Sequence, residues 1–156
     1  EDFKPEGEIF DNFLMNTVIP YVENNFPVCT DRQNVAVCGS SSGGLMSFFS
    51  AVEHPEKFGY AGVFSPAFLC YTREDWAKYL STKIVENMPY LYIYTGNDDE
   101  LEEMIFESTE MLYELLEESF YPYDRMNEVI LFENAHNEKS WREIFPDFLH
   151  TFLSRL

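Results

Sequence analysis

The chain has 156 residues, enough for one domain with a sizeable core, and 46% hydrophobic with 17% aromatic residues marks it as folded rather than disordered. With 28 acids against 10 bases the formal charge is −18, which argues against nucleic acid or an anionic membrane as partner and makes neutral substrates the natural expectation. No apolar run reaches the length of a membrane span, and Glu1-Asp2-Phe3-Lys4-Pro5 has no hydrophobic signal segment; it reads as the middle of a longer chain, with secreted and cytoplasmic locations both open. Cys29, Cys38 and Cys70 are too few and too far apart for a disulfide framework or a metal site, and Cys38, in an apolar run, is expected to be a buried small hydrophobe.

In chain order, Ile9, Phe10, Phe13, Leu14, Val18, Val22 and Phe26 recur at helical spacing, so residues 8–26 are predicted to be a helix with one apolar stripe, kinked or broken at Pro20. Residues 34–38 form the first predicted strand, followed by a helix that Pro55 stops. Tyr60-Ala61-Gly62-Val63-Phe64-Ser65 is the second strand. A helix over 73–87 follows, with Trp76, Leu80 and Ile84 on one face. Tyr90-Leu91-Tyr92-Ile93-Tyr94 is the third strand. A long amphipathic helix over 101–120 turns Leu101, Met104, Ile105, Leu112, Leu115, Leu116 and Phe120 to the core and its glutamates, Glu102 among them, to water. Residues 128–133 form the fourth strand, and a last helix, 139–156, is expected to break at Pro146. Strands separated by helices predict a single α/β domain over 1–156: a mainly parallel sheet between two helical layers, a three-layer αβα sandwich. In such sheets ligands sit beyond the carboxyl ends of the strands, so the loops after strands are where chemistry belongs.

The loop after the first strand carries the strongest signal. Gly39-Ser40-Ser41-Ser42-Gly43 fits G-x-S-x-G between a strand and a helix, the nucleophile elbow of α/β-hydrolases, with Ser41 at its apex. A sharp strand-to-helix turn strains the serine backbone and crowds its neighbours, so Gly39 and Gly43 are expected where bulk would collide. The Ser42 backbone N–H, at a helix start, is placed to bind a developing oxyanion. A serine hydroxyl needs a base and an acid that orients it. Of the histidines, His54 lies at a helix end before Pro55 and His150 within the last helix, whereas His136 follows the final strand at the edge where Ser41 stands. The loop after the third strand offers Asp98, Asp99 and Glu100, which precede His136 and complete a serine–acid–histidine chain order. Acids opening a helix also suit the helix dipole, so spacing alone does not choose among them.

These segments resemble the esterase D or enterochelin-esterase-like family of α/β-hydrolases, which includes feruloyl, acetyl xylan and siderophore esterases. The likeness runs through Val18 to Val28, Asp31-Arg32, Gly39 to Gly44, His54-Pro55-Glu56-Lys57-Phe58, Phe64-Ser65-Pro66-Ala67-Phe68, and His136-Asn137-Glu138 with Trp141. The resemblance implies a serine carboxylic-ester hydrolase with Ser41, Asp99 and His136 as triad, Asp99 being preferred because it stands three residues after Gly96. It implies no metal and no organic cofactor. Substrates would be small-molecule or oligosaccharide esters, feruloyl or acetyl groups on xylan first and siderophores second; Ser40, Ser65 and Trp141 are the candidate substrate-contacting residues. The family's earlier strands, and the loop giving its second oxyanion donor, have no counterpart in this sequence. The expectation is therefore the C-terminal portion of an α/β-hydrolase domain, catalytically impaired alone unless completed, with an open first strand that invites a homo-oligomer, a strand-swapped dimer or a missing N-terminal segment.

Overall fold

The computed structural model describes residues 5–83 and 86–155. An N-terminal helical segment runs as α1 (Pro5–Phe13), a π-helical stretch (Leu14–Val18) and α2 (Ile19–Asn25). Four strands follow, β1 (Ala36–Ser40), β2 (Tyr60–Phe64), β3 (Tyr90–Thr95) and β4 (Met126–Ile130), interleaved with α3 (Ser42–Glu53), α4 (Arg73–Lys83) and α5 (Glu100–Glu118), and α6 (Glu138–Leu153) ends the described fold. All strand pairs are parallel and the sheet order is β1-β2-β3-β4. Because neighbouring strands follow one another in sequence, right-handed crossovers place α3, α4 and α5 on the same face.

Side-chain alternation sorts the core into two layers. Ala61, Val63, Leu91 and Ile93 turn to the face of α3, α4 and α5, where Phe48, Phe68, Trp76, Leu80, Leu112 and Leu116 are buried. Tyr60, Phe64, Tyr90, Tyr92 and Tyr94 turn the other way, onto Ile144 and Phe148 of α6. Gly62 lets α6 approach: a Cβ there would stand 2.8 Å from the Phe148 ring. This is the three-layer α/β arrangement that the alternating elements predict.

Several local expectations are met in part or fail, for identifiable reasons. Pro20 marks an interruption rather than an end: it falls in the first turn of α2, directly after the π-helical stretch, whose wider turn absorbs the missing N–H and the bulk of the ring. α6 runs through Pro146; burial of Ile144 and Phe148 against the tyrosines outweighs a proline cost of about 3 kcal/mol. Ile9 and Phe13, members of the predicted apolar stripe, are 68% and 53% exposed. α1 instead docks through Asp11, which accepts from Ser50 Oγ at 2.7 Å and lies 2.6 Å from His54 Nε2, tying it to α3. Cys38 is exposed, because β1 is an edge strand with one side unpaired among the described residues. Leu101, Met104 and Phe120 are exposed as well, and Glu102 is fully buried. Ile84 lies outside the described residues.

Candidate active site

Each strand ends at the same edge, and each contributes one part of a connected site. At the end of β1, Ser41 has φ 56°, a left-handed conformation rare in a residue with a Cβ, and its N–H donates to Phe64 O at 2.9 Å. That bond ties the strained turn to β2. Gly39 is required, since a Cβ there would stand 2.6 Å from Gly43 O; Gly43 itself has open space, and the second crowded position is Gly44, where a Cβ would meet Phe64 O at 2.7 Å. Ser42 opens α3, so its N–H is one of the first-turn amides with no helical acceptor of its own.

His136, in the loop after β4, meets the elbow: its Nε2 lies 3.0 Å from Ser41 Oγ. The acid against its Nδ1 is Glu102, at 2.6 Å, and not Asp99. Asp99 is occupied otherwise. It caps α5, taking the Glu102 N–H on Oδ1 at 2.8 Å and the His136 backbone N–H on Oδ2 at 2.7 Å. These backbone donors hold its carboxyl below the usual aspartate range. The carboxylate expected to orient the imidazole instead anchors the backbone beneath it. Asp98 and Glu100, the other candidates, are exposed.

Glu102 is buried to 0% exposure and hydrogen-bonded on both oxygens. Oε2 faces His136; Oε1 accepts from Gly96 N at 2.7 Å and from Ser65 Oγ at 2.6 Å. Ser65, at the end of β2 with φ 40°, in turn accepts from Trp141 Nε1 at 2.9 Å. The Trp141 ring stands edge-on to His136, centroids 5.1 Å apart. Ser65 is fully buried and serves Glu102, so it has no surface to offer a substrate; Trp141, half-buried, has its indole N–H committed to Ser65. Ser40 is half-buried at the last position of β1, in register with Phe64.

The sequence does contain a signal for Glu102. Asp99-x-x-Glu102 is a capping-box spacing, in which the first residue is used up at the helix N-terminus and the second, one turn in, turns back toward the preceding loop. Here the glutamate is diverted from the cap amide to Gly96 N–H and the imidazole. Among the described residues no group of three or more His, Cys, Asp or Glu could hold a metal ion, and no helix is long and apolar enough to cross a membrane.

A family model described as "Putative esterase" matches residues 4–150. The chain belongs to this esterase family. Among curated proteins, it is 31% identical over 107 residues to an endo-1,4-beta-xylanase/feruloyl esterase of Xylanibacter ruminicola, covering 68% of this chain and 13% of that protein. It is 33% identical over 67 residues to the uncharacterized protein YbbA of Bacillus subtilis, covering 43% of this chain and 27% of that one. Among solved structures, the enterobactin esterase of Shigella flexneri superposes with TM-score 0.79 at 18% identity, covering 93% of this chain and 38% of the other. A ferulic acid esterase from Anaeromyces mucronatus superposes with TM-score 0.72 at 21% identity, covering 96% and 57%. The esterase chain therefore has an α/β-hydrolase-type fold and spans well under two thirds of the length of each of these relatives.

Proposed function

We propose that the chain carries the reacting residues of a serine carboxylic-ester hydrolase, with Ser41 as nucleophile, His136 as general base and acid, and Glu102 as the residue that orients the imidazole. The observation behind this reading is the continuous line from Ser41 Oγ through His136 to Glu102, at 3.0 and 2.6 Å. Ser41 Oγ attacks the ester carbonyl as its proton passes to His136 Nε2. The oxyanion forms near the Ser42 N–H. The C–O bond to the alcohol then breaks as His136 returns the proton, leaving an acyl-serine. Water, deprotonated by the same nitrogen, attacks the acyl carbon and releases the acid and free Ser41. Glu102 keeps the imidazole N–H on Nδ1. Asp99 fixes the backbone of the base.

The substrate class is a feruloyl or acetyl ester on a plant oligosaccharide, the feruloyl choice being supported by the names of the Xylanibacter ruminicola and Anaeromyces mucronatus relatives. A siderophore ester is the competing reading, favoured by the enterobactin esterase likeness. Labelling with a fluorophosphonate should modify Ser41, and hydrolysis of p-nitrophenyl acetate should vanish in Ser41→Ala. An unlabelled Ser41 in folded protein sinks the enzyme reading. Feruloylated xylo-oligosaccharide and enterobactin, assayed side by side, separate the two substrate classes.

A further inference from the structure

The opposite edge of the sheet gathers positive charge in an acidic protein. There a cavity of about 280 Å³ is lined by Arg32, Arg125 and Arg155, with Tyr60 and Tyr90 at the starts of β2 and β3, and Asp124 as its one carboxylate. These arginines come from a total of 10 Lys and Arg in a chain of net charge −18, so their convergence does not follow from composition. Among the described residues, the Lys and Arg in ion pairs are Lys57, Arg73, Lys83 and Lys139, and none of the cavity arginines takes part.

The guanidiniums are held in place. Arg32 Nε donates to Pro55 O at 2.6 Å and its Nη2 to Asn87 O at 2.9 Å. Arg125 Nη1 donates to Met88 O at 2.6 Å. Arg155 lies over the Tyr90 ring with Cζ 3.6 Å from its centroid, and Tyr90 stacks on Tyr60 at 4.8 Å. A guanidinium has five donor hydrogens, so these bonds position each group and leave donors to spare. Burial, and then the charge of Arg125, lower the pKa of Arg32, and the opposing pull of Tyr121 and Glu56 offsets this only in part.

A second, independent observation points to a missing acceptor. The Tyr60 hydroxyl is buried, in a residue only 3% exposed, and the side chain that reaches it is the Arg155 guanidinium, which can donate but not accept, so its own proton has no acceptor among the described residues. Buried hydroxyls are normally satisfied, and an exception asks for an unseen partner. Burial raises the pKa of this phenol, with Arg155 pulling weakly the other way, so Tyr60 retains a proton to donate.

We propose that this cavity is a binding site for a doubly charged oxyanion, a phosphate or the phosphate group of a small monoester, separate from Ser41. Among the lining residues three guanidiniums stand against one carboxylate, Asp124, an excess of 3 − 1 = +2; Glu56, acting on Arg32, and Asp147, acting on Tyr60, lie outside the lining and reduce this excess, which an oxyanion would balance. Arginine forks match phosphate oxygens in pairs, and the phenol supplies a neutral donor. The distant acids do not forbid this, because at physiological salt their field is screened beyond about 8 Å.

The test is calorimetric titration and thermal unfolding of the purified protein with inorganic phosphate and with phenyl phosphate, against sodium chloride at matched ionic strength. Phosphate should give saturable heat and a rising Tm that chloride does not reproduce. Arg155→Gln, at an exposed position, and Arg125→Gln should each weaken binding about tenfold or more. Fluorophosphonate labelling of Ser41 should persist with the site filled, so the outcome is independent of whether the triad reading holds. Tighter binding of inorganic phosphate than of phenyl phosphate assigns the site to the free ion, and the reverse order to a monoester. The proposal is overturned by no response up to about 10 mM ligand, by an equal shift with chloride, or by unchanged affinity in both variants.

Discussion

Glu102 Oε2 takes the Nδ1 side of His136 at 2.6 Å, while Asp99, three residues earlier, holds the same histidine by its backbone N–H at 2.7 Å. Two carboxylates in one helical turn thus have separate duties, one toward the ring and one toward the chain. Glu102→Gln removes the charge that stabilises an imidazolium and permits the wrong tautomer. Its kcat on p-nitrophenyl acetate should fall by about 10³–10⁴, with the melting temperature little changed. Asp99→Asn keeps a capping oxygen and should lose about tenfold or less. If Asp99→Asn is the more damaging in kcat, the roles assigned here are exchanged.

The Ser65 hydroxyl tests positioning against substrate contact. Ser65→Ala strips one donor from Glu102 and leaves Trp141 Nε1 without its acceptor, so kcat should drop about tenfold. Because Ser65 is fully buried, KM should stay unchanged. A rise in KM at constant kcat would instead make Ser65 a binding residue.

Most of this site is legible in the sequence, and what is not has a physical reason. Ser41 and His136 follow from loop placement, because parallel strands deliver their C-terminal loops to one edge. Glu102 escapes the apolar pattern because the first turn of α5 overhangs the end of the sheet. Leu101 and Met104 there find no core to face, while Glu102 is buried by the site itself. In α1 the same pattern marks an apolar face in Ile9, Phe10 and Phe13, but periodicity does not say what covers a face, and these side chains are exposed. The inner strands are easier to read, because runs such as Tyr90–Thr95 are buried on both sides, whereas the outer strands β1 and β4, only half-buried, begin two residues later and two residues earlier than the predicted 34–38 and 128–133.

The exposed side of β1 predicts self-association. A strand edge unpaired among the described residues, beside an apolar groove of about 420 Å³ lined by Phe10, Leu14, Val37, Cys38 and Met46 among others, is a template for another strand. Light scattering should show mass rising with concentration, and Cys38→Lys should suppress it by charging the edge. A mass equal to one chain at all concentrations sinks this prediction.

Gly96 is indispensable for close approach. A Cβ there would stand 1.9 Å from Asn134 O, the carbonyl that receives the Asn97 and Asp98 N–H groups at 3.1 Å and so clamps the acid loop to the histidine loop. Gly96→Ala must push the loops apart by an ångström or more. It should cost about 1–3 kcal/mol in denaturant unfolding and about 10² in kcat through misplacement of His136. Wild-type activity in this variant would mean that the two loops are not rigidly coupled.

A pH dependence unrelated to catalysis comes from Glu128 on β4. Burial, and then the neighbouring carboxylate of Glu110, push its pKa up to about 7, and its Oε1 is buried without a partner. An unfolded glutamate titrates near about 4.3, so between that value and about 7 the folded state holds the extra proton. Stability then falls as pH rises through this window and levels off above it, because ionising Glu128 in place is unfavourable. Glu128→Gln keeps the shape and stays neutral at every pH. Its melting temperature should match the parent near pH 5 and exceed it at pH 8, so the two curves diverge upward from about pH 5. Parallel Tm curves across this range would show that Glu128 does not carry the dependence.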